Sequence, residues 1–415
     1  MLKNWYKVYS GTADLSIYFI EHGLKLLNEH GILSFITTNK FFNTEYGKPV
    51  RKYIADKHIH QLINFEQVEV FEDILVSSVI LIIQNNKAEI DNNFVFQQFY
   101  KMKSVEFKEN FVYLYENFGN YPQKVLDDKE WSFSSTEELM LKQKIEKEKV
   151  IIKNLKGVYV YRGVTTGYNP AFIISNEQRK YLLLQDSKNS DIIKNMLQGR
   201  NIRKWYYNES DENLLQTGFD TDIQHLYPQI YKHLLDFKTQ LEVRSDQGKN
   251  WYNLRACKYY NDFEKKEKII WGLTADKWAF ALDEKQHYLP SNAYMLTSEK
   301  IPIRFLLGLL NSKLLKHYFK YIGIMTAGGA YTLKAATIEA LPMPEYSQKT
   351  DFKVIELVDQ ILAAKKDNPQ ADTSDLEHQI DLFVYQLYDL TFEEAKIIDV
   401  NLTEEEFTYS RKLLG

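Results

Sequence analysis

Apolar positions in the first hundred residues follow two rhythms. From Ala13 to Asn28, Leu15, Phe19, Leu24 and Leu27 recur near one face at helical spacing, with Asp14 in the first turn, which predicts an amphipathic helix. Gly31 stops it, and Ile32-Leu33-Ser34-Phe35-Ile36-Thr37 then reads as a buried strand. Residues 44–56 suit a second helix, while His60–Phe65 and Val76–Ile83 read as a second and third strand. Strands spaced by helices predict a doubly wound α/β layer, of which about three strands are visible.

The texture then changes. Residues 126–150 are charged and helical, a connector. From Ile151 to Tyr346 aromatic residues cluster, and short strand-like runs alternate with turns and with helices such as Pro228–Leu241 and Pro302–Tyr321, the pattern of an α+β domain. Leu341-Pro342-Met343-Pro344 punctuates its end. An amphipathic helix over 351–364, a break at Asn368-Pro369-Gln370 and a helix from Ser374 to Tyr388 follow. These shifts divide the chain into 1–110, 111–150, 151–346 and 347–415.

Composition narrows the class. With 44% hydrophobic and 26% charged residues, the chain is globular rather than disordered or fibrous. No stretch approaches the roughly 18 to 20 apolar residues of a membrane helix, and the N-terminus carries no secretory pattern. The single cysteine, Cys257, excludes an internal disulfide framework and a cysteine-built zinc site. The chain therefore reads as cytoplasmic, with no membrane partner. Net charge is −4, but residues 350–415 hold 15 acidic against 6 basic side chains, a local −9 that leaves +5 for the rest. A mildly basic body can bind DNA through a localised surface; ordinary surface scatter explains the charge equally well.

Phosphate-cradling GxxxxGK[ST], HExxH and Gly-rich dinucleotide patterns are absent. His58-Ile59-His60 has strand spacing that places both imidazoles on one face, but with no ligand-spaced Cys or carboxylate nearby the pair reads as polar edge positions.

Two regions carry a family resemblance. Ala13–Leu27 followed by Gly31–Lys40, and then Glu69-Val70-Phe71-Glu72-Asp73-Ile74-Leu75-Val76-Ser77-Ser78-Val79-Ile80, resemble adenine-specific DNA methyltransferases of the TaqI and type IIG restriction–modification group. There the second segment walls the pocket that receives a flipped adenine, so the resemblance gives Phe71 a base-stacking role. Tyr161-Arg162-Gly163-Val164-Thr165-Thr166-Gly167-Tyr168-Asn169-Pro170-Ala171-Phe172, Leu197-Gln198-Gly199-Arg200-Asn201-Ile202-Arg203-Lys204-Trp205, Trp251-Tyr252-Asn253-Leu254-Arg255 and Leu306–Leu314 are similar, in order, to the TaqI-like C-terminal specificity domain. The resemblance implies a partial Rossmann-like methyltransferase sheet over 1–110, a helical connector, a target-recognition domain over 151–346 and a C-terminal helical segment.

The residues of the second region suit DNA on their own chemistry. Gly163 and Gly167 bracket a loop able to approach a phosphate, with Arg162, Thr165 and Thr166 as donors and Tyr168 and Asn169 at its end. Arg200, Arg203 and Lys204 concentrate positive charge beside Trp205, Tyr206 and Tyr207, and Lys334 lies in a basic stretch near Gly328-Gly329. Arg255 is either a DNA contact or half of a structural ion pair. A solvated charged face with glycine turns is the plain alternative.

Family members place the methyl donor, S-adenosylmethionine, on a Gly-containing turn and polarise the target amine with Asn-Pro-Pro-Tyr. Neither occurs in these 415 residues, and Tyr168-Asn169-Pro170 lies inside the recognition region. The expectation is therefore a chain that recognises double-stranded DNA, has no catalytic residue of its own, binds no donor alone and is inactive unless a separate N-terminal methyltransferase or nuclease half completes it. Ile32–Thr37 would then form an open sheet edge that invites self-association. The alternative is a non-catalytic DNA-binding specificity or phage-defence subunit.

Overall fold

The computed structural model describes residues 2–66, 70, 77–100, 119–131, 133, 136–275, 277–325 and 330–414. They form two units, Met1–Ser135 with Ile324–Ala330, and Thr136–Gly323 with Tyr331–Gly415.

In the first unit, helix α1 (Ser16–Leu26) buries Ile17, Tyr18, Ile20 and Leu24. Of the face read from sequence, Leu15 and Phe19 instead point outwards, 66% and 63% exposed. The helix is apolar on more than one side, and Glu21 decides which side turns in. Its fully buried carboxylate accepts from the Lys7 and Val8 amides and pairs with Lys25 at 2.6 Å, pinning the N-terminal segment against that flank. Strand β1 (Ile32–Thr38), helix α2 (Lys48–Ala55), β2 (Lys57–Glu66) and β3 (Ser78–Lys87) follow, then β4 (Asn93–Tyr100) and β5 (Gly119–Pro122).

Among the described residues the sheet has five strands in the order β1-β3-β2-β4-β5, not about three. Nor is it a parallel, doubly wound layer: β3 runs antiparallel between β1 and β2, β4 pairs antiparallel with β5, and β2–β4 is a parallel pair. The missed strands are the ones with weak signals. β4 is interrupted by Gln97-Gln98, and β5 is four residues framed by Gly119 and Pro122. β1 to β3 bury Leu33, Ile59, Leu62, Leu81 and Ile83 under α1 and α2, with an irregularity in β2 between Ile59 and Gln61 bringing Ile59 and Leu62 into the same core.

The second unit opens with helix α3 (Thr136–Glu146), β6 (Val150–Ile151) and β7 (Val158–Arg162), then β8 (Ile173–Ser175), α4 (Asn176–Gln185), β9 (Ile193–Met196), β10 (Glu212–Leu215) and α5 (Pro228–Leu235). Next come β11 (Lys268–Gly272), β12 (Thr274–Ala275), β13 (Ala281–Asp283), β14 (Ala293–Ser298), α6 (Ile303–Leu310) and α7 (Lys313–Ile322). β15 (Tyr331–Thr332), β16 (Pro342–Met343), α8 (Gln348–Asp367) and α9 (Ser374–Leu387) complete the elements used below. Its central sheet, β13-β11-β14-β7, is antiparallel and covered on both faces. Ile269, Trp271 and Leu296 enter one core with α6, α7, α8 and α9, while the alternating Ile270, Ala293 and Met295 enter a second core with β8, β9, β10 and α5. Burial on both faces is why β11 is apolar without interruption after Lys268.

The helix read over 302–321 is two helices. Asn311 spends its side chain on both backbone groups of Phe280, and Ser312 then caps α7. β16 returns to pair with β6, so Leu341–Met343 closes the fold beside its start. Among the described residues no helix is long and apolar enough to cross a membrane.

Candidate nucleic-acid interface

β7 ends on Arg162, an exposed side chain whose Nε donates to the Ser291 carbonyl at 2.6 Å. The chain then turns sharply at Gly163. Here a Cβ would stand 2.0 Å from the Pro290 oxygen, and the Gly163 and Val164 amides donate to Ala293 and Leu289. Glycine is therefore required by the protein's own backbone, rather than by the approach of a phosphate as read from sequence. Gly167 takes the left-handed conformation, with φ +72°. Between them Thr166 is buried and donates to Asn169 Oδ1 at 2.5 Å, so these two polar groups are spent on each other. Thr165 is half-buried, and Tyr168 rests against Phe237.

A second loop meets this one. Arg255 is exposed, pairs with Asp246 at 2.8 Å, and with Ala256–Tyr260 faces Arg162–Thr165 across a cleft of about 360 Å³. It is a surface pair, not a buried one. Exposed Lys258 adds a third cation. Tyr259 stacks on Tyr161 with 4.6 Å between ring centroids and 16° between planes, and Tyr159 continues the row at 6.2 Å. Burial, reinforced by Asp262, pushes the Tyr161 hydroxyl up to about 12, so it stays protonated near neutrality. Burial also raises the Cys257 thiol, leaving it a poor nucleophile.

The turn Tyr288–Asn292 brings the basic segments together. It receives Arg162 through Ser291 and Val164 through Leu289. Leu197 donates to Tyr288, and a Cβ on Gly199, next to Arg200, would lie 3.4 Å from the Asn292 oxygen. Leu273 donates to Asn292 and accepts from Leu333, the neighbour of exposed Lys334, beside the short β12–β15 pairing.

The cluster over 200–204 is less cationic than its sequence. Arg200 is exposed but pairs with Glu212 at 2.8 Å, and Lys204 pairs with Glu377 while lying over the Trp205 ring. Arg203 is exposed, and donates to the Arg200 and Ile202 carbonyls. Its aromatic neighbours are tied inward. Trp205 is buried at φ +75°, Tyr206 accepts from Gln370, and Tyr207 faces Asp283. Phe71 lies outside the described residues. In the first unit His58 and His60 do share a face, their rings 4.6 Å apart; among the described residues no three metal-ligating side chains gather.

Sequence reasoning missed Lys258, Tyr259 and Arg244. The first two carry a legible signal, a cation beside aromatics just after Leu254-Arg255. Arg244 has none, since only the fold shows it to be buried.

Residues 1–71 match the Eco57I restriction-modification methylase family, and residues 194–343 the TaqI-like C-terminal specificity domain. The chain is 28% identical over 254 residues to the type II methyltransferase M.MjaIV of Methanocaldococcus jannaschii, covering 57% of this chain and 80% of that protein. It is 20% identical over 380 residues to the type II restriction enzyme and methyltransferase RM.Eco57I of Escherichia coli, covering 82% of this chain but 37% of the relative. The type IIL restriction-modification enzyme MmeI, solved in complex with DNA, matches the fold with a TM-score of 0.54 at 11% identity, over 96% of this chain and 50% of that one.

Proposed function

Because this chain joins an Eco57I-type restriction-modification methylase segment to a TaqI-like C-terminal specificity domain, we propose that its second unit recognises double-stranded DNA for an adenine-specific methyltransferase. The convergence of Arg162, Arg255 and Lys258 on one cleft, with Arg200 and Lys334 reached through the same turn, carries this reading. Cations supply salt-dependent attraction to phosphates, and arginine can read guanine edges. Arg203, Thr165 and Tyr168 are further contacts in this proposal, and Thr166 and Asn169 shape the loop that presents them.

Anisotropy titration of mixed-sequence duplexes at about 50 mM salt, where phosphate contacts are strongest, tests it. Arg162→Ala and Arg255→Ala should each weaken binding roughly threefold to tenfold and lower the salt slope by about one. Absent binding by the unmodified chain overturns the reading.

Methyl transfer is assigned to an assembly rather than to these residues. The turn leaving β1, Asn39–Phe42, has no glycine and buries Phe41 and Phe42, so it does not fit as a cradle for S-adenosylmethionine. In this proposal a separate methylase half supplies the amine-polarising Asn-Pro-Pro-Tyr, which the sequence does not contain. In the assembled enzyme Phe71 would stack on the extruded adenine. Labelled methyl transfer should be nil for this chain and recovered on mixing with a methylase half that supplies both elements. A stable but inert mixture favours the alternative, a specificity or defence subunit that never methylates.

A further inference from the structure

Next to the cleft, held to the backbone that follows Thr165, is a buried arginine that no carboxylate among the described residues neutralises through direct contact. Arg244 is 8% exposed. Its Nη1 donates to the Thr166 carbonyl, and its Nη2 donates to the carbonyls of Trp251, at 2.8 Å, and Asn253. The guanidinium carbon stands 4.6 Å over the Phe172 ring. Burial lowers its proton affinity, to about 10, so at neutral pH it remains a cation held by carbonyl dipoles and a ring face. Such a group is costly to bury, and what it joins is specific. On one side is the loop that starts at Arg162; on the other is the loop that ends at Arg255. Asn253, itself fully buried, donates to the Thr217 and Thr221 carbonyls and so anchors the second loop from below.

We propose that Arg244 is a positioning residue for DNA recognition: it clasps the Thr166 and Trp251–Asn253 backbones so that Arg162 and Arg255 face the duplex in one fixed geometry. This rests on the DNA-binding reading above. Preorganised contacts sharpen discrimination between sequences, whereas non-specific attraction depends mainly on how many cations are present. Losing the clasp should therefore cost sequence preference more than general affinity.

The test compares the unmodified full chain with Arg244→Lys, which keeps the charge but has no planar fork to span the Thr166 carbonyl on one side and the Trp251 and Asn253 carbonyls on the other. Amide exchange over 164–168 and 250–254 should accelerate in the variant. Enrichment of a preferred sequence from a randomised 30-bp duplex pool should fall about tenfold, and the salt slope on mixed-sequence duplex should hold, since no phosphate contact is lost. If the variant does not fold, Phe172→Leu carries the test, because it removes the ring face over which the guanidinium lies and leaves both loop backbones unaltered. Unchanged exchange together with unchanged enrichment overturns the inference. An unmodified chain that binds duplex but enriches no sequence overturns the inference and leaves the DNA reading standing; one that binds no duplex overturns the DNA reading itself.

Discussion

Arg162 and Arg200 both lie at the surface of the second unit, yet their charges are answered differently. Arg162 donates through Nε to a carbonyl and among the described residues forms no ion pair, whereas Arg200 meets a carboxylate. Exposed pairs such as Arg200–Glu212 contribute little to stability, whereas the Lys204–Glu377 pair is half-buried. A linear sequence lists such residues as equals, because the carboxylates lie 12 and 173 positions away.

Asp381 shows the opposite case, an acid held where its charge is unwelcome. Burial pushes it up to about 6, against the backbone amide of Lys313, which favours the ionised form. A carboxyl raised in the folded state contributes stability that is full below its unfolded value, near 4, and lost as pH climbs through about 6. The loss is on the order of 2–3 kcal/mol. Asp381→Asn should flatten the fall in melting temperature between pH 4 and 7, measured by calorimetry. An unchanged pH profile would contradict it.

Among the elements, β1 is the exposed risk. It closes the sheet on one side, its burial alternates weakly, and Ile32 and Ile36 are 56% and 45% exposed beside Phe19 of α1. An apolar edge with unpaired backbone groups recruits other strands, and an edge lysine is a common defence. Concentration-dependent association of the chain, followed by sedimentation velocity at tens of micromolar, should therefore weaken in Ile36→Lys. A wild-type chain that stays monomeric over that range would dismiss the edge as an association site. Here the periodicity of the strand was readable, whereas its end place in the sheet order came only from the tertiary structure.

At the scale of the molecule, the C-terminal helices are part of a core rather than an appendage. Val354, Val358 and Ile361 of α8 and Ile380, Val384 and Tyr385 of α9 are buried with Trp271 and Leu296 of the central sheet. Gly308 of α6 lets α8 come close, since a Cβ there would lie 2.6 Å from Val354. Each such side chain is worth about 1.5–3 kcal/mol, so removing residues 347–415 should abolish the cooperative melt of the second unit, against a typical total of about 5–15 kcal/mol. A truncated chain that keeps a sharp circular-dichroism transition would separate the two.

Spacing alone determined where α1, β1, β2, β3, α8 and α9 begin and end within a few residues, because local periodicity and glycine or proline punctuation are properties of neighbours along the chain. The motifs around Arg200 and Arg255 likewise fell within the segment that matches the TaqI-like C-terminal specificity domain. Tertiary structure decided the rest: five strands instead of three, the face α1 buries, the backbone crowding that fixes Gly163, which cations meet carboxylates, and the clasp at Arg244. These depend on groups far apart in sequence that meet only once the chain is packed, and burial, not residue type, sets what each charge can do.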